Sequence, residues 1–209
     1  MRHILFGSST GFGVGDYENG GWATQLRLFI DRQEKREDHN LVNLCVSGDT
    51  TRSLLARLGQ EAKLRIRDNP PQDFKFLIAI GGNDSRINKI EKEKNVSEQE
   101  FKLNLLKLIK ITKKLCREII LIGLSPVYEP QTTPFKEQKY YYNERIEKYD
   151  QIIKNVAKDK NIKFVDIFSE FKNKDLAKLF ADGLHPNTQG HKIIFEKVKK
   201  ELFESNKVV

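Results

Sequence analysis

The chain has 209 residues and a mass of 24.3 kDa, a size at which we expect residues 1–209 to form a single domain. Hydrophobic residues make up 38% of the sequence and occur in periodic blocks, which excludes a disordered chain. The formal net charge is +8, but the lysines are spread along the chain beside acidic residues, so we expect no specific nucleic-acid partner.

Five short apolar segments are predicted to be strands, at residues 4–6, 41–46, 74–80, 118–122 and 163–166. Five longer segments have helical spacing, at residues 21–37, 50–67, 97–117, 142–159 and 188–203. Strands that alternate with helices favour right-handed crossovers and a parallel sheet with helices on both faces. Ligands of such sheets bind beyond the carboxyl ends of the strands, so the residues that follow each strand are the first candidates for a site.

Four segments that follow the predicted strands carry small and polar residues, at 7–13, 47–50, 81–84 and 182–186. The predicted topology gathers these segments along one edge of the sheet. Together they contain a hydroxyl nucleophile, glycines with accessible backbone N–H groups, a side-chain amide and an Asp/His pair. Acyl transfer requires this set of groups.

The Asp/His pair has a spacing that suits a catalytic base. Asp182 and His185 are three residues apart, so a single turn can place both on one side. Asp182 can then accept a hydrogen bond from one imidazole nitrogen, while the other nitrogen takes the proton of a serine. The oxyanion that forms needs fixed donors, each typically worth ~3 kcal/mol of barrier. The backbone at Gly48 and the Asn83 amide are the candidate donors.

At these positions the sequence resembles the SGNH (GDSL) hydrolase family. The four signature blocks of that family occur in order as Gly7-Ser8-Ser9, Gly48, Gly81-Gly82-Asn83-Asp84 and Asp182-Gly183-Leu184-His185. The resemblance extends over residues 4–195, nearly the whole chain. No single block is specific, but four blocks in order, each after its expected strand, are a strong signal.

The resemblance implies a three-layer α/β/α, flavodoxin-like fold with a five-stranded parallel sheet. It also implies hydrolysis of a small-molecule ester or thioester, without a metal or another cofactor. Ser9 would be the nucleophile, and Asp182 and His185 would complete its triad. The oxyanion hole would consist of the Ser9 and Gly48 backbone N–H groups and the Asn83 side chain.

The first block departs from the family pattern at one position. Ser8 stands where the family has an aspartate before the nucleophile. An acidic side chain there would help to fix the first loop by hydrogen bonds, whereas Ser8 can make fewer bonds, none of them charged. The family register selects Ser9 rather than Ser8 as the nucleophile.

Two other functions are compatible with parts of the sequence. A non-catalytic flavodoxin-like module could hold a phosphate or flavin mononucleotide in the loop at residues 7–11, although the loop lacks a P-loop lysine. That function leaves Asp182 and His185 unexplained. The serine at position 8 suggests the other alternative, a degenerate hydrolase retained as a binding protein.

The remaining expectations concern single residues and the location of the protein. We expect Asp84 to bind nearby backbone donors and His191 to lie at the surface. Tyr128 and Phe135, in the long loop at residues 125–139, are candidates for lining an acyl or aromatic pocket. The sequence shows no apolar run of membrane-spanning length, no signal segment and no disulfide framework, which favours a cytoplasmic protein.

Overall fold

The computed structural model describes residues 1–34, 41–66 and 69–203. Its strands are β1 (Arg2–Gly7), β2 (Leu41–Asn43), β3 (Phe74–Ala79), β4 (Ile87–Asn88), β5 (Glu118–Ile122), β6 (Lys139–Tyr140) and β7 (Lys163–Val165). Its α-helices are α1 (Ser9–Phe12), α2 (Trp22–Glu34), α3 (Thr51–Ile66), α4 (Glu98–Thr112), α5 (Asn143–Asp159) and α6 (Thr188–Phe203). Among these helices, none is long and apolar enough to cross a membrane.

The main sheet has five parallel strands in the order β2-β1-β3-β5-β7. The prediction of a parallel α/β sheet is therefore confirmed. The short strands β4 and β6 form a separate antiparallel pair. The order of the main sheet reverses between β1 and β3, and in such sheets a crevice opens beyond the carboxyl ends at that point.

Both faces of the sheet are buried under helices, which explains why its strands read as continuous apolar runs. On one face, Phe6 and Ile78 pack with residues of α3, α4 and α5. On the other face, Leu5 and Leu77 pack with residues of α2 and α6. Because successive side chains of β1 and β3 point to opposite faces of the sheet, these strands contribute to both cores, and the fold has three layers.

Two predicted elements end earlier than their apolar patterns suggested. β2 ends at Asn43 rather than at residue 46, although the N–H groups of Leu44 and Val46 still donate to the β1 carbonyls of Leu5 at 2.8 Å and Gly7 at 3.1 Å. α4 ends at Thr112 rather than at residue 117, where the Thr112 hydroxyl donates back to the Leu108 carbonyl at 2.7 Å. The predicted helix ends at residues 37 and 67 lie outside the described residues.

Candidate active site

Ser9, His185 and Asp182 form a continuous chain of hydrogen bonds. The Ser9 Oγ lies 3.0 Å from the His185 Nε2, and the His185 Nδ1 lies 2.8 Å from the Asp182 Oδ2. A carboxylate only accepts hydrogen bonds, so the proton of the neutral ring is on Nδ1. The Nε2 atom is then free to accept the hydroxyl proton of Ser9.

The local structure around Asp182 presents its carboxylate to the histidine. The Asp182 Oδ1 accepts the backbone N–H groups of Leu184 at 3.0 Å and His185 at 2.8 Å, which closes a tight turn. The Ala181 N–H donates to the His185 carbonyl at 2.8 Å and fixes the base of that turn. Partial burial alone would raise the pKa of Asp182, but the hydrogen bonds from His185 and Leu184 hold it below its usual value. The group that faces the imidazole is thus a carboxylate.

Ser9 reaches the histidine because β1 ends in a sharp turn into α1. Ser9 is the first residue of α1, so its backbone N–H has no acceptor within the helix. Gly15 has a φ of +97°, and a Cβ built on it would lie 3.1 Å from the His185 Cβ. Only a glycine allows the loop after α1 to pack so closely against the histidine.

Gly48 occupies the turn after β2 in a left-handed conformation. Its φ is +87°, and the Asp49 N–H closes the turn by donating to the Val46 carbonyl at 3.2 Å. A Cβ at this position would meet no atom within 4 Å. The glycine is therefore required by the backbone angle, and the space around it is open.

Asn83 and Asp84, after β3, bind the start of α3 and the turn before it. The Asn83 Nδ2 donates to the Asp49 carbonyl at 3.0 Å. The Asp84 carboxylate accepts the backbone N–H of Thr51 at 2.9 Å and its hydroxyl at 2.6 Å. Asp84 therefore has the structural role that the sequence suggested, and Asn83 lies beside the Gly48 turn.

Asp84 is fully buried, and its ionisation differs from that of Asp182. Burial raises the pKa of Asp84 to about 6, although the hydrogen bonds from Thr51 act in the opposite direction. The pKa values of Asp84 and Asp182 are thus displaced in opposite directions.

Residues 5–193 match the model of the GDSL-like Lipase/Acylhydrolase family. The chain belongs to this family. The match covers all the segments that carry the site. It confirms the resemblance that the four motif blocks indicated.

Two curated relatives span most of the chain. A GDSL esterase/lipase from Oryza sativa subsp. japonica is 25% identical over 211 residues, covering 97% of this chain and 77% of that protein. An acetylxylan esterase from Geobacillus stearothermophilus is 29% identical over 170 residues, covering 78% of this chain and 71% of that protein. Both relatives are esterases by name.

Solved structures show the same fold. A structure of an acetylxylan esterase from Geobacillus stearothermophilus has a TM-score of 0.74 at 24% identity, covering 97% of this chain and 94% of that chain. An α/β hydrolase from the metagenome of Lake Arreo has a TM-score of 0.72 at 21% identity, covering 96% of this chain and 94% of that chain.

In this family member the first loop is anchored by Asp16 rather than by a residue at position 8. The Asp16 carboxylate accepts the N–H groups of Asn19 at 3.0 Å and Gly21 at 3.1 Å, and the hydroxyl of Thr188 at 2.9 Å. These bonds outweigh the desolvation that acts to raise its pKa, which lies below the usual value. The sequence signal was an aspartate among glycines, a setting typical of turns that close on a side-chain carboxylate.

The prediction that His191 lies at the surface is wrong. Its side chain is fully buried, with Nδ1 accepting the Trp22 N–H at 3.2 Å and Nε2 donating to the Val14 carbonyl at 3.0 Å. Burial lowers the pKa of His191, so the ring is neutral and clamps the first loop to α6. Its spacing of three and seven residues from Ile194 and Val198, on the inner face of α6, was the overlooked signal.

The loop after β5 contacts both the histidine and the asparagine of the site. The Phe135 ring lies edge-on against the His185 ring, with centroids 6.2 Å apart. The Tyr141 hydroxyl donates to the Asn83 Oδ1 at 3.1 Å, and the Tyr128 N–H donates to the Gly183 carbonyl at 2.8 Å. Sequence reasoning singled out Tyr128 and Phe135 but missed Tyr141.

Proposed function

We propose that this chain is a serine esterase that cleaves a carboxylic ester or thioester through an acyl-enzyme. The observation that carries the proposal is the hydrogen-bonded chain from the Ser9 Oγ through His185 to the Asp182 carboxylate. Nucleophile, base and orienting acid stand in the order and at the distances that nucleophilic catalysis requires.

In the first step the Ser9 oxygen attacks the carbonyl carbon of the substrate. The hydroxyl proton passes to the His185 Nε2, and the electron pair of the C=O bond moves to the carbonyl oxygen. Asp182 stabilises the imidazolium through the Nδ1–H bond at 2.8 Å. The product is a tetrahedral intermediate with one negative charge on oxygen.

Three donors would stabilise that oxyanion: the Ser9 N–H, the Gly48 N–H and the Asn83 amide. The Ser9 N–H is free of helical bonding, and Gly48 is an exposed residue. Asn83 uses one N–H on the Asp49 carbonyl, and its amide nitrogen carries a second. Each fixed donor of this kind typically contributes ~3 kcal/mol.

The intermediate collapses when the bond from carbon to the leaving oxygen or sulfur breaks. His185 returns its proton to the leaving alcohol or thiol, and the acyl group stays on the Ser9 oxygen. A water molecule then attacks the acyl-enzyme with His185 as base, which releases the carboxylic acid and restores the serine.

The relatives support this proposal. Solved forms of the acetylxylan esterase described as catalytic mutants replace a serine, an aspartate and a histidine, the last two being three residues apart. Asp182 and His185 have that spacing here. The curated relatives that span most of the chain are likewise named as esterases.

The test is a series of p-nitrophenyl esters and acyl-CoA thioesters of increasing chain length. We expect the wild-type protein to hydrolyse at least one member and Ser9→Ala to lose at least ~10⁴-fold in kcat. Ser8→Ala is the matched control, because Ser8 is the adjacent serine and its side chain makes no helix-capping hydrogen bond. It should retain activity and fold like the wild type.

A fluorophosphonate probe separates this proposal from the degenerate-hydrolase alternative. Labelling of the folded wild-type protein at Ser9, located by peptide mass spectrometry, is the expected result. Full hydrolysis by Ser9→Ala, or no labelling together with no hydrolysis of any ester, would reject the proposal.

A further inference from the structure

The Asn83 amide is held at both ends, and its orientation follows from its partners. The Asp49 carbonyl can only accept, so the NH₂ group of Asn83 faces it at 3.0 Å. The amide oxygen must then face Tyr141, whose hydroxyl donates to it at 3.1 Å. The two bonds together hold the amide at its nitrogen and at its oxygen.

Tyr141 is itself rigidly placed. Its backbone N–H donates to the Thr132 carbonyl at 3.1 Å, and the Thr132 hydroxyl donates to the Tyr141 carbonyl at 3.0 Å. Its ring packs edge-on against Phe135, at 6.0 Å between centroids. Only 2% of Tyr141 is exposed.

The Tyr141 hydroxyl keeps its proton and can therefore act as a permanent hydrogen-bond donor. Burial raises the pKa of its hydroxyl, while the charge of Arg86 and a hydrogen bond from the Arg86 side chain act in the opposite direction with smaller effects. The hydroxyl therefore stays protonated over the range in which an esterase with a histidine base works.

We propose that Tyr141 is a positioning residue of the oxyanion hole, which fixes the Asn83 amide and strengthens its remaining N–H as a donor. Donation to the amide oxygen withdraws electron density from the amide and makes its N–H groups more polar. The inference rests on the proposed acyl transfer at Ser9. It predicts that Tyr141 acts through Asn83 and on the transition state rather than on substrate binding.

A double-mutant cycle tests whether Tyr141 acts through Asn83. In the wild-type background we expect Tyr141→Phe to lower kcat about 5–30-fold, the effect of one buried hydrogen bond, with little change in KM. In the Asn83→Ala background the same change should lower kcat less than about twofold. Equal factors in the two backgrounds, or no loss in the wild-type background, would overturn the proposal.

Tyr149→Phe is the matched control. Tyr149 is another fully buried tyrosine, and its hydroxyl donates to the Val96 carbonyl at 2.5 Å, a backbone group that is not one of the proposed oxyanion donors. We expect this variant to lose stability but to keep kcat. A kcat loss as large as that of Tyr141→Phe would assign both effects to core packing and overturn the inference.

Phenylboronic acid provides a second readout, because it forms a tetrahedral adduct with a catalytic serine. The Ser9 oxygen bonds to boron and its proton passes to His185, leaving a negatively charged boronate in the oxyanion hole. We expect Tyr141→Phe to raise the inhibition constant by the same factor by which it lowers kcat. Equal inhibition of wild type and variant overturns the role of Tyr141 alone, whereas no inhibition of the wild type counts against the proposed function itself.

If Tyr141→Phe does not fold, 3-fluorotyrosine at position 141 keeps the shape and makes the hydroxyl a stronger donor. We expect a higher kcat and a lower inhibition constant, by equal factors, at a pH where the hydroxyl is protonated. No change in either quantity would overturn the proposal.

Discussion

The two halves of the candidate site are built in different ways. The base half consists of Ser9, His185 and Asp182, and the side chains of His185 and Asp182 are 12% and 42% exposed. The oxyanion half contains Asn83 and Tyr141, which are only 8% and 2% exposed. In the base half, hydrogen bonds link Ser9 to His185 and His185 to Asp182. In the oxyanion half, Asn83 and Tyr141 are bonded to each other and also to backbone groups around them.

This difference determines what a substitution can report. Within the described residues the Asp182 carboxylate makes its hydrogen bonds to its own turn and to the histidine, so its replacement should change the chemistry and leave the fold intact. Asn83 holds the Asp49 carbonyl and receives the Tyr141 hydroxyl, so its replacement should change chemistry and stability together. The loss of kcat relative to the loss of stability should therefore be large for a substitution in the base half and smaller for one in the oxyanion half.

The largest effect we expect in this comparison is that of Asp182→Asn on kcat. The amide cannot stabilise the imidazolium and can present its NH₂ group to the Nδ1–H, so kcat should fall on the order of 10³-fold. The thermal midpoint should stay near that of the wild type, because Oδ1 can still accept the backbone N–H groups. Kinetics with p-nitrophenyl acetate and a melting curve measure both.

Asp175→Asn is the control for that variant, since Asp175 is an exposed aspartate nearby in sequence whose carboxylate pairs with Lys178. It should change neither quantity. A large drop in the melting temperature of Asp182→Asn would break the comparison, because the base half would then contribute to the fold as well.

Asn83→Ala should show a mixed effect. We expect kcat to fall about 10²–10³-fold through the loss of an oxyanion donor. The free energy of unfolding should also fall by about 1–3 kcal/mol, because the buried Tyr141 hydroxyl and Asp49 carbonyl lose their partner. Urea unfolding measures the loss of stability, and the kinetic assay measures the loss of kcat. An unchanged free energy of unfolding would show that the oxyanion half does not contribute to the stability of the core.

Much of this site could be predicted from the sequence, because the chemistry sits where the chain leaves the strands. The turn at Asp182 and His185 depends on residues three apart, and the place of Ser9 after β1 follows from the parallel topology. Tyr141 could not be found in this way, since its hydroxyl meets a residue 58 positions earlier and the pairing exists only in the folded loop. The burial of His191 was missed for a different reason. A histidine is polar and was expected at the surface, although its spacing places it on the apolar face of α6.

The pH dependence of stability distinguishes the two carboxyl groups. Burial raises the pKa of Asp84 to about 6, so between roughly pH 4 and pH 6 the folded state keeps a proton that the unfolded state has lost. The stability contribution of Asp84 therefore falls as the pH rises through that window, by up to about 3 kcal/mol. The pKa of Asp182 is lowered, so its contribution is present above the unfolded value and is lost as the pH falls.

The variant Asp84→Asn tests the predicted direction of the pH dependence of stability. The variant loses an acceptor for Thr51 at every pH, but it does not titrate. We expect its stability deficit against the wild type to shrink as the pH rises from 4 to 6 in urea unfolding experiments. For Asp182→Asn the difference should stay nearly constant over this window, because the lowered pKa of Asp182 places its titration below about pH 4, and parallel trends in the two variants would contradict the contrast.

The smallest effect should come from Phe12, whose side chain is part of neither hydrogen-bonded half. Phe12 follows Ser9 by three residues in α1, so the two side chains share a helix face, and Phe12 is 60% exposed. An apolar wall beside the proposed nucleophile can cover part of a substrate chain. Phe12→Ser should therefore raise KM for an octanoyl ester about 3–10-fold over its effect on an acetyl ester, with kcat nearly unchanged.

Leu103→Ser, at a 50% exposed position on α4, should change neither constant. A fall in kcat with Phe12→Ser would instead mean that this residue supports the nucleophile, and the base half would then extend into α1 beyond its hydrogen bonds.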